Sequence, residues 1–456
     1  MGRARGFVVA MGAARGQEAT LQVAMVCLDE LVAEDCRYRR LDRVVDWSFV
    51  REAAGPYYAD EVGRPSIDPI VLVKLMVAAA LEGIGSTREL CRVAGLRLDL
   101  RRFLGYGFHE RLPVHQTLSH AQTRRFVDGA LFERLFLRSL DLCKQHGLVE
   151  GTHLSVDGFH VEANAALASL RASLALVAVD EPAVDEPVES GCPEPPSAPQ
   201  LSLAELRSGP TPKRRSSNRT SVSRTDPDAK LRGKPGQRPH LVYRGQVAVD
   251  PKVRCVVACL GEEADGYEGD ALDPILDRAR FACRELVSVG ADSGFAAERV
   301  WRGLERRGLV AFIPPQPTML PKQDESTTEP QRQAVAARAR CKSEHGVWAH
   351  KQRMADAEGV ISELKNRHGL DRVRSRGTPL FHVQLLLGCA ALNYKRLADH
   401  VPEAASGLAA APAAAAGVAQ TRTPAACDAS RAAAPDTVGN ALAAKPSSWN
   451  YTVCLN

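Results

Sequence analysis

At 456 residues the chain has room for two or three domains with full cores, and 45% hydrophobic and 25% charged residues exclude a fibrous or wholly low-complexity protein. The net charge of +5 is mild, and an aromatic content of 5% leaves few platforms on which single-stranded nucleic acid could stack. Apolar runs fall short of a membrane span and the N-terminus is too short and glycine-broken for a secretory signal, so no membrane partner and a cytoplasmic location are expected.

Residues 1–20 read as a flexible N-terminus and residues 21–148 as helices. Ile67–Glu82 is apolar nearly all round, with Asp68 and Pro69 in its first turn, and predicts a buried central helix. Ser86 followed by Glu89 is a capping-box pattern opening a second helix through Val93. Thr117–Val127 and Leu131–His146 supply two more. Short helices joined by glycine turns are shared by helix-turn-helix modules and by any small bundle, so DNA contact by this part is one of two readings.

From Gly151 the period changes to the alternation of a strand, ending at Asp157. Residues 180–224 are rich in proline, serine and charge and read as a disordered insertion. His240–Asp250 and Val253–Leu260 predict a hairpin across Asp250-Pro251. Asp270–Cys283 follows as a helix, Glu285–Ala291 as a buried strand, Glu298–Arg307 as a helix, Leu309–Ile313 as a strand and Met354–His368 as a helix stopped by Gly369. Residues 149–400 therefore form an α/β domain with a mixed sheet flanked by helices, preceded by an all-α N-terminal domain. Residues 401–456 are Ala, Pro and Ser with little pattern and read as a disordered tail. Twelve cysteines without a CxxC pair read as core thiols.

Three acids stand out. Asp157 and Asp292 each close an apolar strand, where open α/β sheets place their sites, and Glu358 lies in the last predicted helix. Taken singly, each Asp is more simply a turn residue, and Glu358 a carboxylate near a helix N-terminus. Taken together, three carboxylates are the oxygen donor set that hard divalent cations require. Helix geometry separates Glu358 from its neighbour Glu363. At about 100° per residue, Lys365 returns to the azimuth of Glu358, whereas Glu363 points away and is expected to be solvated. The run Lys365, Arg367, Arg372, Arg374 and Arg376 continues from this helix, and beside a metal cluster such cations would hold phosphates in register.

The segments LDRVVDWSFV, GRPSIDPIVLVKLMVAAALEGIGSTREL, VDGFHVEANA, TDPDAKL, GADSGF and AEGVISELKNRHGLDRVRSRG together resemble bacterial insertion-sequence transposases of the DDE superfamily, over about Leu41–Leu397. The resemblance implies a ribonuclease-H-like catalytic domain in which Asp157, Asp292 and Glu358 are catalytic and hold two Mg²⁺ or Mn²⁺ ions. It makes Lys365 the basic residue two helical turns beyond the Glu, and Arg353 the arginine of a Tyr-x-x-Arg motif whose Tyr is here His350. Lys365, Arg353, Arg367, Arg372, Arg374 and Arg376 are then the expected DNA contacts. The partner implied is double-stranded DNA, both element ends and target, bound by a homodimer or higher multimer on the nucleoid. A transposase-derived DNA-binding protein without chemistry is the alternative.

Overall fold

A computed structural model describes residues 25–58, 66–172, 218, 221–233, 238–321 and 327–401. The N-terminal segment 1–20, nearly all of the insertion 180–224 and nearly all of the tail 401–456 lie outside the described residues.

Among the described residues the N-terminal region has helices and no strands: α1 (Leu28–Leu31), α2 (Arg37–Val44), α3 (Phe49–Ala54), α4 (Pro69–Leu81), α5 (Thr87–Leu96), α6 (Leu98–Leu104), α7 (His115–His120) and α8 (Ala130–Gln145). Asp68 caps its helix, and of the capping box expected at Ser86 and Glu89 only the Ser86 half forms, the Glu89 carboxylate pairing with Arg92 instead. The Asp68 carboxylate accepts from the Ile70 amide at 2.9 Å, with Pro69 in the first turn, and the Ser86 hydroxyl accepts from the Glu89 amide at 3.3 Å. Helix α4 is buried from Leu72 to Leu81, as an all-round apolar sequence requires. The helix expected over Thr117–Val127 is shorter, because α7 passes into a single π-helical turn at Ala121–Arg125.

The sheet strands are β1 (His153–Glu162), β2 (Leu170–Ala172), β3 (Ser221–Ser223), β4 (Lys230–Arg232), β5 (His240–Asp250), β6 (Cys255–Glu263), β7 (Ser288–Gly290) and β8 (Val310–Phe312). In the main sheet β5 pairs antiparallel with β1, β6 and β4, while β7 lies parallel to β1 and β8 parallel to β7. An antiparallel meander β1-β5-β6 extended by two parallel strands on the far side of β1 is the ribonuclease-H-like order. The intervening helices are α9 (Leu272–Ala279), α10 (Glu298–Arg306), α11 (Glu329–Lys342), α12 (Glu344–Arg367) and α13 (Thr378–His400).

Two differences from the sequence reading bear on the site. Asp157 does not end its strand: β1 runs five residues further, paired to β5 as far as Glu162 with Val242. Asp-Gly reads as a turn, but Gly158 is paired across the strand with Gln246, whose Oε1 would stand 3.1 Å from an added Cβ. Helix α12 begins at Glu344 rather than Met354, capped by the Ser343 hydroxyl accepting from the Gly346 amide.

Helix α13 joins the two parts. It packs against α2, α4 and α8 of the helical region and against β6 of the sheet, so one hydrophobic core is continuous through both. At its centre the fully buried Asn393 accepts from the Val256 amide and donates to the Val256 carbonyl, both at 2.9 Å, and donates to the Ser139 hydroxyl at 3.3 Å. One side chain thus ties β6 to α8.

Candidate active site

The site is built on one face of β1. His153, Ser155, Asp157 and Phe159 alternate to the same side. Helix α12 lies over them and meets them in the same order. The Trp348 ring is edge-on to His153 at 4.8 Å, Arg353 binds Asp157, and the Lys365 ammonium lies 5.6 Å from the centre of the Phe159 ring.

The parallel register of β1 and β7 pairs Ser155 with Gly290. Asp157 and Asp292 each lie two residues beyond this last paired position, near enough for the charge of Asp292 to act on the Asp157 carboxyl. Asp292 stays extended and caps the turn Ser293–Phe295, its carboxylate accepting from the Gly294 amide at 2.9 Å. Asp157 is buried, 9% exposed, and accepts from the Gly158 amide and from the Arg353 guanidinium, both at 2.8 Å. Burial pushes its carboxyl up to about 6. Arg353 opposes that rise, and the negative charges of Asp292 and Glu358 add to it.

Glu358 is reached from the helix side. Its carboxylate, with the side chain 45% exposed, accepts from the second guanidinium nitrogen of Arg353 at 3.1 Å. Arg353 is itself buried, so it is engaged by two acids rather than presented to solvent as a DNA contact would be.

The remaining sequence-selected cations separate. Lys365 is half-buried, and desolvation holds its ammonium below the usual lysine range. Arg367, Arg372 and Arg376 are exposed. Arg374 is largely withdrawn, packed against Gly85 and Gly369, and burial lowers its pKa. Glu363 is not solvated. Lys395 and Arg396 of α13 pair with it and the His368 ring lies 3.7 Å away; against the cost of burial, hydrogen bonds from these three side chains and the charge of Arg396 hold its carboxyl well below the usual range.

Sequence reasoning did not find the polar neighbours under α12. The His153 ring accepts or donates at 2.8 Å to the Ser288 hydroxyl, burial lowers its pKa to about 4, and its Nε2 and the Ser155 hydroxyl lack partners. The even spacing of 153, 155 and 157 on the strand carrying the first acid was the available signal.

All donors at the centre are carboxylate oxygens, a set that a hard divalent cation fits. Among the described residues no three His, Cys, Asp or Glu side chains stand close enough together to hold one metal as placed. Two of the three acids are drawn to Arg353 instead.

Residues 26–124 match the family described as Transposase domain (DUF772), and residues 212–394 match the family described as Transposase DDE domain. The chain belongs to the insertion-sequence transposases of the DDE superfamily. The DDE match includes Asp292, Glu358 and Lys365 and begins beyond Asp157, whose place beside Asp292 rests on the strand register. The transposase is also similar to a piggyBac transposase solved by cryo-electron microscopy in a synaptic complex with hairpin DNA. Sequence identity is 9% over 80% of this chain and 74% of that one, with a TM-score of 0.35. At that score the fold assignment rests on the strand order and the family match instead. No curated protein matches the chain. As a DDE transposase it is an enzyme of DNA, and its family implies dependence on a divalent metal.

Proposed function

We propose that this transposase binds the terminal inverted repeats of its own insertion sequence, cleaves the DNA at the element ends and joins a freed 3′-hydroxyl to target DNA. The observation that supports these acids as the site is the parallel pairing of β1, which carries Asp157, with β7, which ends two residues before Asp292, together with the shared contact of Asp157 and Glu358 with Arg353.

Asp157, Asp292 and Glu358 would hold two divalent ions, Mg²⁺ or Mn²⁺. When bound, such ions activate the attacking oxygen and stabilise the leaving oxygen of a phosphodiester. The protein supplies position. One oxygen of Asp157 is held by the Gly158 amide and one of Asp292 by the Gly294 amide, which limits how far each carboxylate has to turn to meet an ion. Lys365, held over Phe159 on the acid face, takes the phosphate beside the scissile bond. Arg367, Arg372 and Arg376 contact flanking phosphates, and Arg374 shapes the loop that carries its neighbours. The helical part, residues 21–148, grips the element ends while residues 149–400 cut. The assembly on the nucleoid is a homodimer or higher multimer, for which sedimentation with and without end DNA is the check.

The deciding experiment uses duplexes carrying the repeats that flank the gene. Asp157→Asn, Asp292→Asn and Glu358→Gln should each lower Mg²⁺-dependent cleavage by about 100-fold or more while end binding persists. Robust cutting by one of these variants would remove that residue from the site.

A further inference from the structure

We infer that Arg353 is a built-in counter-ion of the acid cluster, and that metal loading displaces it. The inference rests on the reading that Asp157 and Glu358 are metal ligands. Both guanidinium bonds land on oxygens of those two carboxylates, at 2.8 Å to Asp157 Oδ2 and 3.1 Å to Glu358 Oε1. No other cationic side chain is paired with either acid among the described residues. The arginine side chain is 10% exposed, so its charge acts on them with little screening by water.

Chemistry makes the two occupants exclusive. A divalent ion takes carboxylate oxygens at about 2.0–2.6 Å, whereas the guanidinium holds the same oxygens through N–H donors pointing into the space between them. A buried +1 group touching two ligands of a +2 ion would be repelled by it. Arg353 also sits five residues before Glu358 on one helix, so it leaves the acids by rotating its own side chain without moving the backbone that carries Glu358. Beside it, the Met354 thioether lies 3.3 Å from the same guanidinium and is part of the exposed surface of α12, which gives the arginine a soft way out. The guanidinium thus keeps the acids gathered and their charge neutralised until metal enters.

The test uses the full chain stripped with chelator and titrated with Mn²⁺, counting free ion by electron paramagnetic resonance. Arg353→Gln should tighten the first Mn²⁺ Kd by about tenfold, because a competing cation is gone. Arg353→Lys, which keeps a charge, should stay near the parent. An unchanged or weaker Kd in Arg353→Gln would mean the arginine merely orients the ligands, and overturns the inference. A second measurement needs no variant: phenylglyoxal modification of Arg353 in the natural chain, mapped by mass spectrometry, should rise on Mg²⁺ addition, and a flat response also overturns it. Asp157→Asn separates the two levels. If it leaves Mn²⁺ binding intact the site assignment itself fails, whereas loss of binding there with no tightening in Arg353→Gln defeats only the role given to Arg353.

Discussion

Lys365 holds its ammonium over the ring of Phe159, which stands two residues along β1 from Asp157 on the same side of the sheet. The contact keeps a positive charge, already partly stripped of water, on the same face of β1 as Asp157 without pairing it to Asp157, Asp292 or Glu358. Lys365→Ala should weaken end binding modestly, lower the salt slope by about one unit and reduce single-turnover cleavage more than it reduces binding. Lys365→Arg should recover part of the activity, since a planar guanidinium does not reproduce a compact ammonium. Parental binding and cutting in the alanine variant would leave the lysine no role beyond its contact with Phe159.

Glu363 bears on stability instead. Its ion pairs with Lys395 and Arg396 join α12 to α13, and Glu363→Gln leaves two largely buried cations short of a partner. The expected loss is about 2–4 kcal/mol in denaturant unfolding. Because its folded pKa is lowered, the stabilisation is complete above the ordinary carboxylate range and disappears as pH falls below about 4.5. Equal stability of parent and variant at pH 7 would count against the ion-pair role.

Asp157 has the opposite sign. Burial raises its carboxyl to about 6, so the fold holds a proton that the unfolded chain has released, and stability in chelator declines as pH rises from about 4 to about 6. Asp157→Asn lacks that titration. Measured against the parent, it should gain roughly 2–3 kcal/mol of relative stability between pH 4 and pH 7. A pH-independent difference would show that the acid ionises in the fold as freely as in the unfolded chain.

Asn393→Leu removes the amide that satisfies both backbone groups of Val256 and reaches Ser139. The expected cost is about 2–4 kcal/mol, seen as a single shifted unfolding transition. Two separated transitions would mean that the helical and sheet parts melt independently.

Much of the scaffold was legible because its signals are local. Asp68-Pro69 and Ser86 fix helix starts within a few residues, and His240–Asp250 is a strand with the bounds expected. What escaped depends on partners far away in sequence. Asp-Gly at 157–158 looks like a turn until Gln246 is placed across from it. The azimuth of Glu363 follows from α12, but its burial follows from Lys395 and Arg396, some thirty residues later on a helix whose nearly all-round burial gives no amphipathic stripe. The first turns of α12 carry Gly346 and mixed polar residues, and they hold their place by packing between β1, β7 and α11. The acids themselves were readable as residues. That their two strands are neighbours followed from the family resemblance, and the pairing of Ser155 with Gly290 adds the register.

Helix α13 is the last helix among the described residues, and a damaged copy of the element would lack it. Because this last helix completes packing surfaces laid down by α2, α4, α8 and β6, a gene interrupted before about residue 390 leaves those surfaces exposed, and its product should be cleared or aggregate. Such a fragment would not linger as a folded competitor able to occupy the element's ends, so a broken copy loses its own mobility without silencing an intact sister copy in the same cell.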